Sequence, residues 1–541
     1  MAKAHLLNST FTSNYAPSSI FVNTNLIHKD SAFRVNITYE DTLRILSNCP
    51  PTAAGPDGIS GAIVKALAPL LARPLLIIYQ QSINQCTFPS AWKIARIVPI
   101  FKGKGSRQDP KSYRPVSLCN VFGKCLERLI IEQLVDYIEH NNILSNTQHG
   151  FRTARSTVTN LLSSDKYIAE WINSRADFDL ITFDMSKAFD KVSHNLILKR
   201  LCEIGLHDSL VSWFHSFLTG RKQFVAINSA TSPLSDVTSG IVQGSACGPI
   251  LYDIFIDPLT KIISVPMTLF ADDFKFLIKV KEIGSAVARV EVQKVDLWCT
   301  DNEIALSIDK CHCMHKSRSG SACVVYTCGS AALTVVDVIN DLGVLRSQDG
   351  SYSSHAAHIA SKAKRLCGTI KHNVAIPNAE IGWKLFQTYV RPILSYASVA
   401  WNSKIRRECN LIEKVQRSFT KYIFPRNSNL SYAERLNYLG AVSAEAQRLF
   451  YDLVFTFKLI NGLIPFSLDD FGLSLSNNNL RGLRLNQEKI LLESARRFYR
   501  YRIPALWNRL PENMRNTKSL SAFRNKLHIW IDHNDPLFMR Q

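Results

Sequence analysis

The chain has 541 residues, 46% of them hydrophobic, which is enough material for several packed domains. It contains no run of about 18 apolar residues, which argues against a membrane-spanning helix. Met1 to Ser19 lacks a basic segment followed by an apolar core, which argues against a secretory signal.

The net charge of +20 is unevenly spread: residues 1–345 carry +4 and residues 346–541 carry +16. A near-neutral body with a basic C-terminal third suits a polyanionic partner, most simply nucleic acid, although a basic solubilising surface is the plainer reading. Thirteen scattered cysteines, an odd number, point to reduced thiols in the nucleus or cytoplasm rather than a secreted protein.

In chain order, residues 1–35 are rich in Asn, Ser and Thr without a period and predict a poorly ordered tail. After the turn Gly55-Pro56-Asp57-Gly58, apolar residues recur at helical spacing. A second helix is predicted from Pro74, placed at its first turn. Ile94 to Phe101 predicts a strand, followed by the basic turn Lys102-Gly103-Lys104-Gly105. Phe122, Leu126, Leu129, Ile130, Leu134, Tyr137 and Ile138 form a helical stripe. Further helices are predicted over about 156–174 and from Asp190 to a terminating Gly205. Met267 to Ile278 reads as a hairpin centred on Asp272 and Asp273. Beyond about 346 the pattern is mainly helical. The fold class expected is α+β, with a basic helical appendage.

Chemistry concentrates in three aspartates. Asp184 ends the apolar run Leu180-Ile181-Thr182-Phe183. Asp272 and Asp273, 88 residues further on, interrupt Leu269-Phe270-Ala271 and Phe274. Acids placed in apolar elements cost free energy unless a cation compensates, and carboxylates favour hard divalent ions. Phe189, five residues after Asp184, can lie under a nucleotide sugar and exclude a 2′-hydroxyl; the plainer roles are a core anchor for Phe189 and a helix N-cap for Asp190. Gly240 to Pro249 is a small-residue loop in which Gln243 and Gly244 can approach a base or sugar, or simply make a turn. Lys310 can protonate or hold a leaving pyrophosphate, or sit idle on the surface. Cys311-His312-Cys313-Met314-His315 lacks the usual spacing of zinc ligands, and no zinc is expected.

Taken together, these segments resemble the reverse transcriptases of non-long-terminal-repeat retrotransposons, of the jockey-like branch. Eight blocks occur in order: Ala54 to Ile59, Ile97 to Gly105, Tyr113 to Leu118, Gln148 to Arg152, the Asp184 block, Gln243-Gly244-Ser245, Phe270 to Asp273, and Asp341 to Val344. The resemblance implies an RNA-directed DNA polymerase with a right-hand fold of fingers, palm and thumb. After the disordered tail read over 1–35, it implies a fingers extension over 36–92, fingers and palm over 93–345, a helical thumb over 346–430 and a basic helical region over 431–541.

It further implies that Asp184 and Asp272 hold Mg²⁺, or Mn²⁺ in its place, with Asp273 beside them and Lys310 as general acid. Phe189, Gln243 and Gly244 would meet the nucleotide or template, as would Arg114 and Lys124 from the fingers. The implied partners are an RNA template, a DNA primer and deoxynucleoside triphosphates, with no membrane. Cys247, Asp257-Pro258 and Cys311 depart from the family pattern, but none removes a metal ligand. About 35 residues precede the match, so no endonuclease is expected upstream, and the tail shows no ribonuclease H-like acidic set. The alternative is a decayed or repurposed nucleic-acid-binding remnant. An RNA-dependent RNA polymerase is disfavoured by Ala271 and Phe189.

Overall fold

A computed structural model describes residues 1–16, 33–317, 320, 322–425, 427–476 and 483–535. Helices and sheets are mixed, as expected for an α+β chain, and helices dominate beyond the strand Val344–Ser347. The chain divides into two compact units, each discontinuous in sequence. One comprises Met1–Phe151, Asp184–Ser264 and Glu291–Ile308; the other comprises Arg152–Phe183, Val265–Val290 and Asp309–Gln541.

The first unit is built on the strand Ile94–Phe101. It pairs antiparallel with Tyr113–Leu118 and parallel with Arg221–Ile227, which in turn receives Ala230–Thr231 and Ser235–Val237. The predicted stripe is the helix Val121–His140, which buries Val121, Cys125, Leu126, Leu129, Ile130, Leu134 and Ile138 on one face. Its start is fixed by Asn120, whose side-chain oxygen accepts the Gly123 N–H at 3.1 Å.

Three expectations fail in this unit. Residues 1–35 predict a tail, yet Ala2–Thr12 is a helix. Its Ala4, Leu7 and Phe11, at helical spacing, pack with Ala95, Ile97, Cys119 and Val225. Three apolar side chains suffice because the sheet supplies the other half of the core. Residues 17–32 of that segment lie outside the described residues. Pro74 lies inside the helix Ala68–Asn84, and it is Pro69 that occupies the first turn. Finally, the helix from Asp190 to Gly205 is two helices, Ala188–Lys191 and His194–Glu203. The break forms where the Gly240 and Ile241 N–H groups bond to the Val192 and Phe189 carbonyls at 2.8 and 2.7 Å. Those carbonyls are then satisfied by a distant loop rather than by the next turn.

In the second unit, a five-stranded sheet has the order Thr334–Val335, His312–Lys316, Phe178–Asp184, Asp273–Ile278, Met267–Phe270. The last two strands are the predicted hairpin, paired from Met267↔Phe276 to Phe270↔Asp273. The helix Thr157–Asn173 begins with a capping box at Ser156 and Thr159. A second hairpin, Val338–Asp341 with Val344–Ser347, leads into the helices. Their core is centred on Trp383, Phe386, Trp401, Phe419, Phe457 and Trp507.

Candidate active site

The strand Phe178–Asp184 ends in the first aspartate, and its sheet neighbour begins with the third. Phe183, just before Asp184, stacks on Phe274, just after Asp273, with ring centroids 4.8 Å apart and planes 9° from parallel; Phe183 also meets Phe276 at 5.0 Å. Asp184 and Asp272 are half-buried and Asp273 is exposed. The hairpin turn holds Ala271 at φ 55°, a left-handed conformation that costs a non-glycine residue roughly 1–2 kcal/mol. Lys187, three residues after Asp184, sits at φ 52°. Carboxylates are the donors a hard divalent ion takes; Asp184 belongs to the first unit, and Asp272 and Asp273 to the second.

The aspartate hairpin is held by a charged network that the sequence reading missed. Lys275 Nζ donates to both oxygens of Asp341, at 2.7 and 2.6 Å, and to Asn160 Oδ1 at 2.9 Å. Arg346 Nε donates to Asp341 Oδ2 at 2.6 Å, and another of its nitrogens donates to Asp165. Asn160 in turn donates to the Leu269 carbonyl at 2.8 Å. All four charged side chains are buried. Burial pushes the Asp341 carboxyl up, but Lys275 and Arg346 together outweigh it and hold it below its ordinary value. Burial likewise pushes Lys275 down, against the pull of Asp341. The available signal was Lys275 itself, a cation inside the apolar run Phe274 to Ile278.

In the first unit, Phe189 stacks on Tyr252 at 4.5 Å and meets Phe151 edge-on at 6.2 Å. It is half-buried, so it is neither a sealed core anchor nor a free ring. Asp190 lies within its helix, and the N-cap position belongs to Lys187. Gln243 Nε2 donates to Asp190 Oδ1 at 2.6 Å, while the Gln243 carbonyl accepts the Ser117 N–H at 3.0 Å. Burial raises the Asp190 carboxyl, and the Gln243 bond opposes that.

Gly240, at φ 81°, tolerates no side chain: a Cβ would lie 2.4 Å from the Asp190 carbonyl oxygen. Gly244, at φ 105°, is exposed, and a Cβ there would lie 2.8 Å from the Ser117 oxygen. The close approach that requires glycine at both positions is therefore already made by the protein's own backbone.

Another contributor, also missed, is Glu127. Its buried carboxylate accepts the Ala246 and Cys247 N–H groups at 2.6 and 3.1 Å and so shapes the loop that follows Gln243. Its signal was an acid beside Leu126 on the apolar face of its helix. The N-terminal segment closes over the same region. Tyr15 donates to Gln223 at 2.8 Å, Ser239 Oγ accepts the Ala16 N–H at 2.7 Å, and Tyr15 lines a crevice with Ser117, Asp190 and Gln243.

Arg114 is exposed on its strand, opposite Ile100, and Lys124 is half-buried in the first turns of its helix. Lys310 is exposed at the end of a single 3₁₀ turn, Ile308–Lys310, in the second unit. Farther along that unit, Lys364, Lys414, Arg417 and Lys421 line one groove formed by the helices Ser353–Asn373 and Arg406–Ile423. Among the described residues no helix is long and apolar enough to cross a membrane.

Residues 102–344 match the family model described as reverse transcriptase (RNA-dependent DNA polymerase). The RNA-directed DNA polymerase from mobile element jockey of Drosophila melanogaster is 24% identical over 434 residues, covering 76% of this chain and 47% of that protein. The probable RNA-directed DNA polymerase from transposon BS of the same organism is 30% identical over 220 residues, covering 40% of this chain and 24% of that protein. The probable RNA-directed DNA polymerase from transposon X-element, also from that organism, is 32% identical over 203 residues, covering 38% and 22%. The chain thus spans about half, or less, of the length of these curated relatives.

Proposed function

We propose, from its likeness to the reverse transcriptases of non-long-terminal-repeat retrotransposons, that this chain copies RNA into DNA. In the reaction the primer 3′-hydroxyl attacks the α-phosphorus of a deoxynucleoside triphosphate and pyrophosphate leaves. The family uses divalent metal ions. The finer reading is Mg²⁺ held by Asp184 and Asp272, with Asp273 at the rim. Bound there, the ions would acidify the primer hydroxyl and neutralise charge on the phosphates. The observation that carries this reading is the stacking of Phe183 on Phe274, which keeps the flanks of the two carboxylate-bearing segments side by side.

The remaining roles belong to positioning and charge. Phe189, braced by Tyr252, is the proposed sugar gate. Gln243, aligned by Asp190 and Ser117, presents the loop around Gly244 to nucleotide or template. Arg114 and Lys124 contact the nucleotide or template from the fingers, and Lys310 serves the leaving pyrophosphate. The proposed division into fingers, palm and thumb keeps the boundaries expected from the sequence, except that Ala2–Thr12 belongs to a folded element. The lysine-rich groove at Lys364, Lys414 and Lys421 is the thumb's grip on the primer–template duplex, through its phosphates. Activity in the nucleus or cytoplasm agrees with thirteen free cysteines.

The test is primer extension on an RNA template with a DNA primer, deoxynucleotides and Mg²⁺, comparing the parent with Asp272→Asn. Extension by the parent and not by the variant supports the assignment. Duplex binding without extension by the parent would favour a nucleic-acid-binding remnant instead.

A further inference from the structure

A second cluster of ligating side chains lies away from the three aspartates. In the second unit, the strand His312–Lys316 runs antiparallel beside Phe178–Asp184, with Asp179 opposite His315 and Ile181 opposite Cys313. Strand alternation puts Cys313 and His315 on one face, and direct pairing puts Asp179 on that face with them. The chain then returns after the strand and brings Cys323 to the same place. The Cys313 and Cys323 sulfurs are 3.7 Å apart. His315 Nδ1 is 2.5 Å from Asp179 Oδ1. One ligand atom from each of Asp179, His315 and Cys323 lies within 4.8 Å of the others; Cys313 stands outside that group and adjoins it through the Cys323 sulfur.

We infer that Cys313, Cys323, His315 and Asp179 form a structural zinc site. A tetrahedral ion with Zn–S bonds of about 2.3 Å separates two thiolates by roughly 3.7–3.8 Å, the spacing already present here. Zn–N and Zn–O bonds of about 2.0–2.1 Å require His315 and Asp179 to part by a little under 1 Å from their present contact, and the Cys313 sulfur to approach them. Tyr326 donates to the other Asp179 oxygen at 2.6 Å. That is the outer hydrogen bond that orients a ligating carboxylate.

The donor set of two sulfurs, one nitrogen and one carboxylate oxygen leaves no open position, so the role is structural rather than catalytic. The inference departs from the expectation of no zinc. The sequence offered Cys311, His312, Cys313 and His315 at poor spacing, whereas folding keeps only Cys313 and His315 and adds Asp179 and Cys323 from elsewhere. Asp179 is on the strand that ends at Asp184, so the ion would clamp that strand to its neighbour.

The full chain, purified with reductant and stripped by chelator, would be titrated with Zn²⁺ against a chromophoric competitor and with Co²⁺ by visible absorption. The expected result is one equivalent of metal, with the absorption of a tetrahedral cobalt thiolate. Affinity should fall at least tenfold in Cys323→Ser and in Cys313→Ser, and stay unchanged in Cys328→Ser. Far-UV circular dichroism and duplex binding would establish that each variant is folded. Cys323→Ser is the milder change because Cys323 is only half-buried. The inference is overturned if the reduced parent binds no metal at micromolar Zn²⁺. It is equally overturned if folded Cys323→Ser binds as tightly as the parent. A Cys313–Cys323 disulfide in a chain that takes up no metal when reduced would make the pair a redox couple and not a zinc site. None of these readouts depends on polymerisation.

Discussion

Replacing Lys275 by Met tests whether the buried charge network holds the aspartate hairpin. The network balances two cations, Lys275 and Arg346, against two anions, Asp165 and Asp341. Side-chain exposure is 4% at Lys275 and Asp341, 5% at Arg346 and 3% at Asp165, so water cannot replace a lost partner. Removing Lys275 leaves one uncompensated negative charge and strips Asn160 of a donor. Breaking a buried pair in this way costs about 3–5 kcal/mol; Asp341 keeps Arg346, which favours the lower end.

The loss should be local, and the readout is peptide-resolved hydrogen exchange. About 3 kcal/mol corresponds to roughly 100-fold faster exchange, expected across 267–278 and 338–347 and not across the helix Val121–His140. The double variant Lys275→Met/Asp341→Asn restores charge balance around Arg346 and Asp165. It should therefore be less destabilised than the two single changes summed, by about 1 kcal/mol or more. Unchanged exchange over 267–278 in Lys275→Met, or strict additivity in the double variant, would refute the network's role.

Three further outcomes are expected. Phe189→Ala should raise ribonucleotide incorporation relative to deoxynucleotides in primer extension; unchanged sugar choice would reject the gate. Exchanging Lys414 and Lys421 for Ala should flatten the slope of log affinity against log salt by about 2 in duplex-binding titrations, without changing sequence preference. His355 is buried, accepts the Leu345 N–H and meets Trp401 edge-on, and burial holds its imidazole down from 6.5 to about 4. The unfolded chain therefore takes up the proton first as pH falls. Stability should drop between pH 6.5 and about 4, by up to roughly 3 kcal/mol, and His355→Gln should flatten that part of the urea-midpoint profile against pH.

Several local features were legible in the sequence because each is set by neighbours along the chain. The strand Ile94–Phe101 and the helix Val121–His140 follow from apolar period and an Asn cap. The aspartate hairpin follows from two apolar runs meeting at a turn. Asp184 at a strand end and the paired Asp272 and Asp273 stood out because acids are rare in such runs. The order of the blocks carried the likeness to the non-long-terminal-repeat reverse transcriptases, and the jockey polymerase is 24% identical over 434 residues.

What the sequence by itself could not determine depends on contacts between distant segments. Ala2–Thr12 is a helix because the sheet offers Ile97 and Val225 to cover. The break after Lys191 exists because the loop at Gly240 claims two carbonyls. Lys275 found Asp341, 66 residues away, and Glu127 found the N–H groups of Ala246 and Cys247. His315 met Asp179 across 136 residues, where spacing rules for local ligand pairs have nothing to say. Local period and composition decide which elements form; only tertiary structure decides which buried charges and ligands face one another, because a partner's value depends on distance and burial and not on its place along the chain.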